Sequence, residues 1–418
     1  MMPSPVSRLA LAVSLSVMTT SAFAGAQPFN TARSIAMGGT GVAVAHPATA
    51  NTSNPAMLAA GQHEWSDDFG LILPSIHARF ADEEETIDQI EDIQDTIDRF
   101  GDIDKNSQPE EARQTAGELR EQLNAFDRDT VRIDAGLGLS LAVPNNSVSV
   151  GVFTNATLRA TVRGEFDEAD DQFLANLENA DKDELLFADL ERDLQSRGRI
   201  LASAVAEVGV AFARSFDIQE RSVQIGISPK YVQIQTFQYT QTVSSFDDDE
   251  FDADDSQTDK SGFNFDLGAA YAFGEEQQWN AGLAIKNVIP MELDSAASRV
   301  DEEVHTFELG PLATAGIAHS GEFHVLTAEL DLNKQKAFGY GDDTQWLAVG
   351  AELDAFRYAQ LRFGARQNLA SNDDNSGIEE KTQLTFGVGL APFGARLDIA
   401  GLVSDADLGA AIELGAAF

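Results

Sequence analysis

The chain has 418 residues, 28 basic against 68 acidic, for a formal net charge of −40; such a field repels phosphates and excludes a nucleic acid partner. It contains no cysteine, so disulfides, thiolate metal sites and cysteine nucleophiles are ruled out. The histidines, His46, His63, His77, His305, His319 and His324, lack the short spacing that metal ligands on one helix or hairpin usually have, and no metal or cofactor is expected.

Arg8, the apolar run LALAVSLSVMTTSA at residues 9–22 and the small-x-small triplet Ala22-Phe23-Ala24 form a cleavable signal peptide over residues 1–24. The run is shorter than the roughly 20 residues of a spanning helix. No later window carries about 18 uninterrupted apolar residues, so the mature chain is either soluble outside the cytoplasm or a membrane barrel. Next comes RSIAMGGTGVAVAHPATANTSNPAMLAA, residues 33–60. Its GGTGVA run lacks the glycine order, the following lysine and the preceding strand of a phosphate loop.

Strand candidates begin near Trp65. They are interrupted at residues 81–128, where Ile87, Ile90, Ile93, Ile97 and Phe100 recur at helical spacing among acids. A second helix follows through Ala116, Leu119, Leu123 and Phe126, with Ser107 as its cap and Pro109 in its first turn. In VRIDAGLGLSLAV, residues 131–143, every odd position is apolar, and the same alternation runs through residues 147–162 except at Phe153 and Thr154. This twofold period means half-buried strands. A second helical insertion, residues 164–199, carries Phe173, Leu174, Leu177, Leu185, Leu186, Phe187, Leu190 and Leu194. Either insertion could offer an apolar groove; the simpler expectation is that the two pack on each other as a cap.

Pro229, in GISPKYV, is a candidate for a strand kink or bulge, because proline cannot donate to the ladder; a wall opening there is one reading and an ordinary strand end the simpler one. Residues 244–259 form an acidic run without the ligand spacing or central glycine of an EF-hand, and are read as a solvated loop. Alternation resumes at residues 263–273 and again at 408–418.

About fourteen strand candidates emerge, joined by connections that alternate short and long. That rhythm and the even strand count belong to an outer-membrane barrel with short periplasmic turns. The Trp and Tyr counts, three and five, are low for interfacial girdles, and 26 Phe stand in reserve. The fold class is therefore an all-β membrane barrel of about fourteen antiparallel strands. No nucleophile elbow, zinc helix or Walker loop is present, and no catalysis is expected. Inward Arg132, Arg159, Arg362, Arg366 and Arg396 are candidates to hold a ligand carboxylate. The alternative is that they brace the lumen against Asp134, Asp266, Glu329, Glu352, Asp398 and Glu413.

The run ARSIAMGGTGVAVA followed by NTSNPAMLA resembles the N-terminal segment of the FadL-type outer-membrane transporter superfamily and of its TraF-type conjugal transfer branch. The matched positions are Ala36, Met37, Gly38, Gly39, Gly41, Val42, Ala43, Asn54, Pro55 and Ala56. Phe418 looks like the aromatic end of a barrel insertion signal. The resemblance implies a hatch over residues 25–62 inside a barrel over residues 63–418. It also implies an outer-membrane address in a Gram-negative envelope, contact with lipid and with the barrel assembly machinery, and uptake or binding of small hydrophobic molecules, in some members through a lateral gap. The helical insertions and the acidity look closer to the TraF branch. The alternative it carries is a structural or assembly component of an envelope machine with a protein partner; a soluble secreted β protein is a third reading.

Overall fold

The structure is a computed structural model and describes residues 23–24, 29–60, 70–82, 84–218, 221–243, 256–297, 302–340, 343–355, 358–370, 378 and 381–417. The signal segment up to residue 22, the strand candidate at Trp65, most of the acidic run and Phe418 lie outside the described residues.

Fourteen antiparallel strands close into one barrel. They are β1 (Gly70–Asp82), β2 (Thr130–Val143), β3 (Ser149–Glu165), β4 (Arg197–Ile218), β5 (Arg221–Thr242), β6 (Gln257–Phe273), β7 (Trp279–Lys286), β8 (Leu312–Ser320), β9 (His324–Asp331), β10 (Trp346–Ala355), β11 (Ala359–Asn368), β12 (Thr382–Leu390), β13 (Ala395–Val403) and β14 (Asp407–Ala417). Each strand pairs with its neighbours in sequence, and β14 pairs with β1 to complete the ring. The twofold period sets the two faces: in β2 the side chains of Ile133, Leu137 and Leu139 are exposed on the outside while Arg132, Asp134 and Ser140 are buried inside. Among the described residues no helix is long and apolar enough to cross a membrane.

The wall has uneven height. Strands β4 and β5 have 22 residues each, so at about 3.3 Å per residue they extend roughly 70 Å. Strands β7 to β9 have only eight or nine. On the low side a short hairpin, Met291–Asp294 with Thr306–Leu309, turns inward. Its Met291, Phe307 and Leu309 pack on the lumen-facing Val205, Val232 and Ile234.

Two prolines interrupt the ladder, each for want of an N–H. Pro74 lies where the β1–β2 register shifts between Ile72 and Ser75. Pro229 lies where β4 and β5 skip the rungs between Gly209–Lys230 and Phe212–Ile227 without a change of register. At Pro229 the strand runs on, with two rungs toward β4 missing.

Exposed aromatic side chains gather at the short-turn end. Phe323, Tyr358 and Phe393 stand exposed on three successive turns, next to Trp279. Backbone bonds tie these turns together: Ser320 N donates to Gln278 O, Asp354 N to Phe323 O, and Ala391 N to Tyr358 O, at 2.8–2.9 Å. Two of these three exposed turn aromatics are phenylalanine.

Beyond the long-loop end sit α3 (Thr86–Asp102) and α4 (Pro109–Phe126), then α5 (Glu168–Glu178), α6 (Lys182–Phe187) and α7 (Leu190–Asp193); α1 (Ala32–Ala36) and α2 (Pro47–Ser53) precede the barrel in sequence. Ile93, Ile97, Leu119, Leu123, Leu174 and Leu185 form one shared core. The two insertions therefore pack on each other. One detail differs from expectation: Gln108, not Ser107, is the N-cap of α4, and the Ser107 hydroxyl instead donates to Asp104 at 2.8 Å. The carboxylate and the backbone carbonyl of Asp104 both accept from this hydroxyl, so the serine closes the preceding turn.

Leu119 is fully buried in the cap, so Leu119→Ala should cost about 2–5 kcal/mol. Denaturant titration of the helical circular dichroism signal should show an earlier cap transition, while the heat-modifiable gel mobility of the barrel stays unchanged.

Candidate functional site

Residues 29–60 lie inside the barrel. Small side chains permit this: Ala32, Ala36, Ala43, Ala48, Ala50 and Ala56 are all buried against the wall or each other. Thr31 caps α1 by accepting from Ser34 N at 3.3 Å. Asn54 caps the 3-10 turn Pro55–Ala59 by accepting from Ala56 N at 3.1 Å, with Pro55 in its first position. Between them Gly38 and Gly39 adopt φ of 77° and 89°, a region in which side chains are strained. A Cβ at Gly38 would also lie 2.9 Å from Val349 O.

The wall grips this segment with charge and with backbone acceptors. One Glu329 oxygen accepts from the N–H groups of Gly41, Val42 and Ala43 at 2.9, 2.7 and 3.2 Å. Arg33 donates to both oxygens of Glu352 at 3.0 and 3.1 Å. Glu413 accepts from Ala32 N at 3.2 Å, and Thr385 accepts from Gly38 N at 3.0 Å. Asn54 Nδ2 donates to Val42 O at 2.7 Å and to Ala269 O of the wall at 3.2 Å. Arg396 Nη1 lies 2.8 Å from His46 Nε2. Met37, Pro55 and Ala56 contribute buried bulk, and Gly41 packs on Ser53.

The five arginines expected in the lumen are engaged with protein groups. Arg132 lies 3.5 Å from Asp134 and 3.0 Å from Asp407, and Arg159 meets Asp134 at 2.6 Å. Arg362 pairs with Glu352 at 2.5 Å and Asp398 at 2.6 Å, and Arg396 with Asp398 at 2.6 Å. Arg366 donates to Gln383 at 2.5 Å and lies 4.2 Å over the Trp346 ring. Sequence reasoning missed Arg33, Arg79, Lys230 and Asp407. Arg79 joins Asp407 at 2.9 Å, and Lys230 holds Glu207 at 2.7 Å and Asp266 at 2.9 Å. The signal for these was available, since all four are charges on the polar side of an alternating strand or inside the small-residue segment. His319 and His324 meet at 3.2 Å across the β8–β9 turn. Among the described residues no group of three or more histidines, cysteines and acids could hold a metal ion.

The cavities against residues 29–60 are small, about 90 Å³ beside Glu329 and Trp346 and about 30 Å³ each beside His77 and beside Lys286. Each suits a few waters, not an acyl chain. Above them, burial raises the Tyr340 phenol beyond its ordinary range, and Arg163 lies 4.8 Å over its ring. The large concavity is elsewhere. On the outer face of β1 to β6 a depression of about 690 Å³ is lined by Leu73, Val152, Phe153, Val210, Pro229 and Phe263, among others. It spans the missing rungs at Pro229 and the bulge beside Pro74.

The barrel is similar in fold to solved FadL-type channels. A monoaromatic hydrocarbon channel, a TodX deltaS2S3 mutant, shares 13% identity over 94% of this chain and 99% of its own, with a TM-score of 0.53. CymD, another monoaromatic hydrocarbon channel, shares 12% over 93% and 97%, at 0.52. A FadL homologue of Pseudomonas aeruginosa shares 11% over 95% and 99%, at 0.51. No curated protein matches the chain. The family model described as "F plasmid transfer operon, TraF, protein" matches residues 52–331, more than half of the chain and nine consecutive barrel strands with the whole cap between them. The chain belongs to that TraF family, built on a FadL-type barrel.

Proposed function

We propose that the protein is an outer-membrane barrel, exported by its signal peptide and inserted through the assembly machinery with Phe418 as the signal, that takes up or binds small hydrophobic molecules without catalysis. In this reading residues 25–62 are a plug and residues 63–418 are the barrel. The observation that carries it is the apolar concavity of about 690 Å³ at the missing β4–β5 rungs. An apolar molecule partitioned in the bilayer has a lined place to rest there, beside the weakest part of the wall. The solved hydrocarbon channels of similar fold support the same class of ligand.

A second reading, an assembly component of an envelope machine such as conjugal transfer, is favoured by the family's description. Its docking surface would be the acidic exterior of the cap. The two readings separate in one preparation: native mass spectrometry after gentle detergent extraction should find a bound lipid-like molecule. A protein that is always empty and crosslinks to a large partner through residues 81–128 would favour assembly and sink uptake.

Two variants follow from the uptake reading. Pro229→Val supplies the missing donor and should close the rungs, lowering uptake of a hydrophobic probe by vesicles several-fold; unchanged uptake would show that this part of the wall is not the route. Glu329→Ala leaves three buried donors without an acceptor, at about 1–3 kcal/mol each. It should loosen the plug, which planar-bilayer recording should register as stepwise conductance absent from the wild type.

A further inference from the structure

On the outer face of β6 to β9, register brings a line of rings together at the short-turn end. Trp279 of β7 stands opposite His319 of β8, and His324 of β9 lies one diagonal step away, because His319 pairs with Leu326. Side chains two apart on a strand share a face, so all three project outward with the exposed Ile317 and Leu326. Phe273 of β6 stacks on Trp279 with ring centroids 6.2 Å apart, Trp279 meets His319 edge-on at 4.7 Å, and the His319 and His324 rings stack at 5.2 Å with 14° between their planes. His319 is thus held between the indole and the second imidazole. A different device holds His324: its ring lies over Gly321, where a Cβ would come within 2.4 Å of Cε1. Both histidines are half-buried, and Glu275, Glu276 and Glu322 are exposed on the adjoining turns.

The two imidazoles meet through His319 Nδ1 and His324 Nε2, 3.2 Å apart. One proton lies between these atoms, so one ring donates and the other accepts. A metal ion can take the place of that proton. With metal–nitrogen bonds of about 2.0–2.1 Å, two nitrogens at 3.2 Å subtend roughly 100–105° at the ion, close to the tetrahedral angle. The rearrangement is small: the donor ring moves its proton to its other nitrogen, and both rings swing until their lone pairs converge. We propose that His319 and His324 form a two-imidazole site for a divalent transition ion of the zinc or copper class, with water in the remaining positions. Imidazole suits such ions, whereas magnesium and calcium prefer oxygen ligands. Packing against Trp279 and over Gly321 keeps both rings near the binding geometry beforehand, so little side-chain entropy is lost when the ion arrives. The exposed acids on the same turns raise the local concentration of cations. The bound ion ties β8 to β9 across their turn, on the side of the barrel where the strands are shortest.

The test uses the full-length protein without a histidine tag, folded in detergent, with excess Mg²⁺ present to occupy the carboxylates. Titration with Cu²⁺ should then show a bound ion whose electron paramagnetic resonance spectrum carries the splitting of two imidazole nitrogens, and which quenches part of the tryptophan emission. His319→Gln and His324→Gln should each weaken this binding at least about tenfold, since losing even an outer partner of a metal ligand costs about 10–100-fold. Each should also reduce the splitting to one nitrogen and restore the emission. Gly321→Ala displaces the His324 ring without removing a ligand, and should weaken binding several-fold while both nitrogens remain. Heat-modifiable mobility identifies the folded fraction of every variant, to which binding is normalised. A folded parent that binds no Cu²⁺, or binding that survives either histidine substitution at full affinity, would overturn the site and leave a hydrogen-bonded pair only.

Discussion

Everything in this molecule depends on the closure of backbone hydrogen bonds around a ring. Fourteen strands can lie in an apolar solvent only if each N–H and C=O finds a partner, because an unpaired group in hydrocarbon costs several kcal/mol. Pairing of β14 with β1 removes the last free edge. The same rule explains where the ladder fails. Proline has no donor to leave unpaired, so Pro74 and Pro229 are the positions at which the wall can lose a bond most cheaply, and both border the same outer depression. The irregularity is concentrated on one side of the barrel; β2–β3 and β3–β4 between them are paired without interruption.

Closure also dictates the lumen. The outward row must be apolar, so charge in the strands collects inside, and buried ions need partners. Three clusters meet that need: Asp134 and Asp407 with Arg79, Arg132 and Arg159; Glu352 and Asp398 with Arg33, Arg362 and Arg396; and Glu207 and Asp266 with Lys230. The second cluster joins the N-terminal segment to the wall, since Arg33 belongs to that segment. Moving it would strand Glu352 with one fewer cation and Glu329 without its three donors. A route that leaves the segment in place and passes beside it is cheaper than one that expels it.

Much of this was legible in the sequence because strand faces follow a period of two, and because turns on one side of a barrel are short. The alternation through residues 131–143 gave the inward set Arg132, Asp134 and Ser140 without any knowledge of neighbours. What alternation cannot give is the row, meaning which inward residue of one strand sits beside which of the next. Arg33 and Glu352 are 319 positions apart, and only register brings them together. The same ignorance of rows hid the packing of the Phe153 ring over Gly209, although the break in alternation at Phe153 was visible. Pro74 went unremarked because it falls near the start of the first strand, where a proline looks like a boundary.

The cap bears on the choice between uptake and assembly. Its core draws on α3 to α7, with Val243 at the end of β5 as the contribution next to the barrel. None of the side chains that hold residues 29–60 belongs to it. A large insertion that only narrowed the mouth would be expected to share side chains with the lumen, as the Met291–Leu309 region does through Phe307 and Val205. The cap instead satisfies its apolar faces internally and presents acids outward, which is what a surface evolved to remain hydrated, or to meet a basic partner, would do. Lumen and cap are thus physically separable, and a chain of this design can carry a transport path and a docking surface at once, each free to change without disturbing the packing of the other.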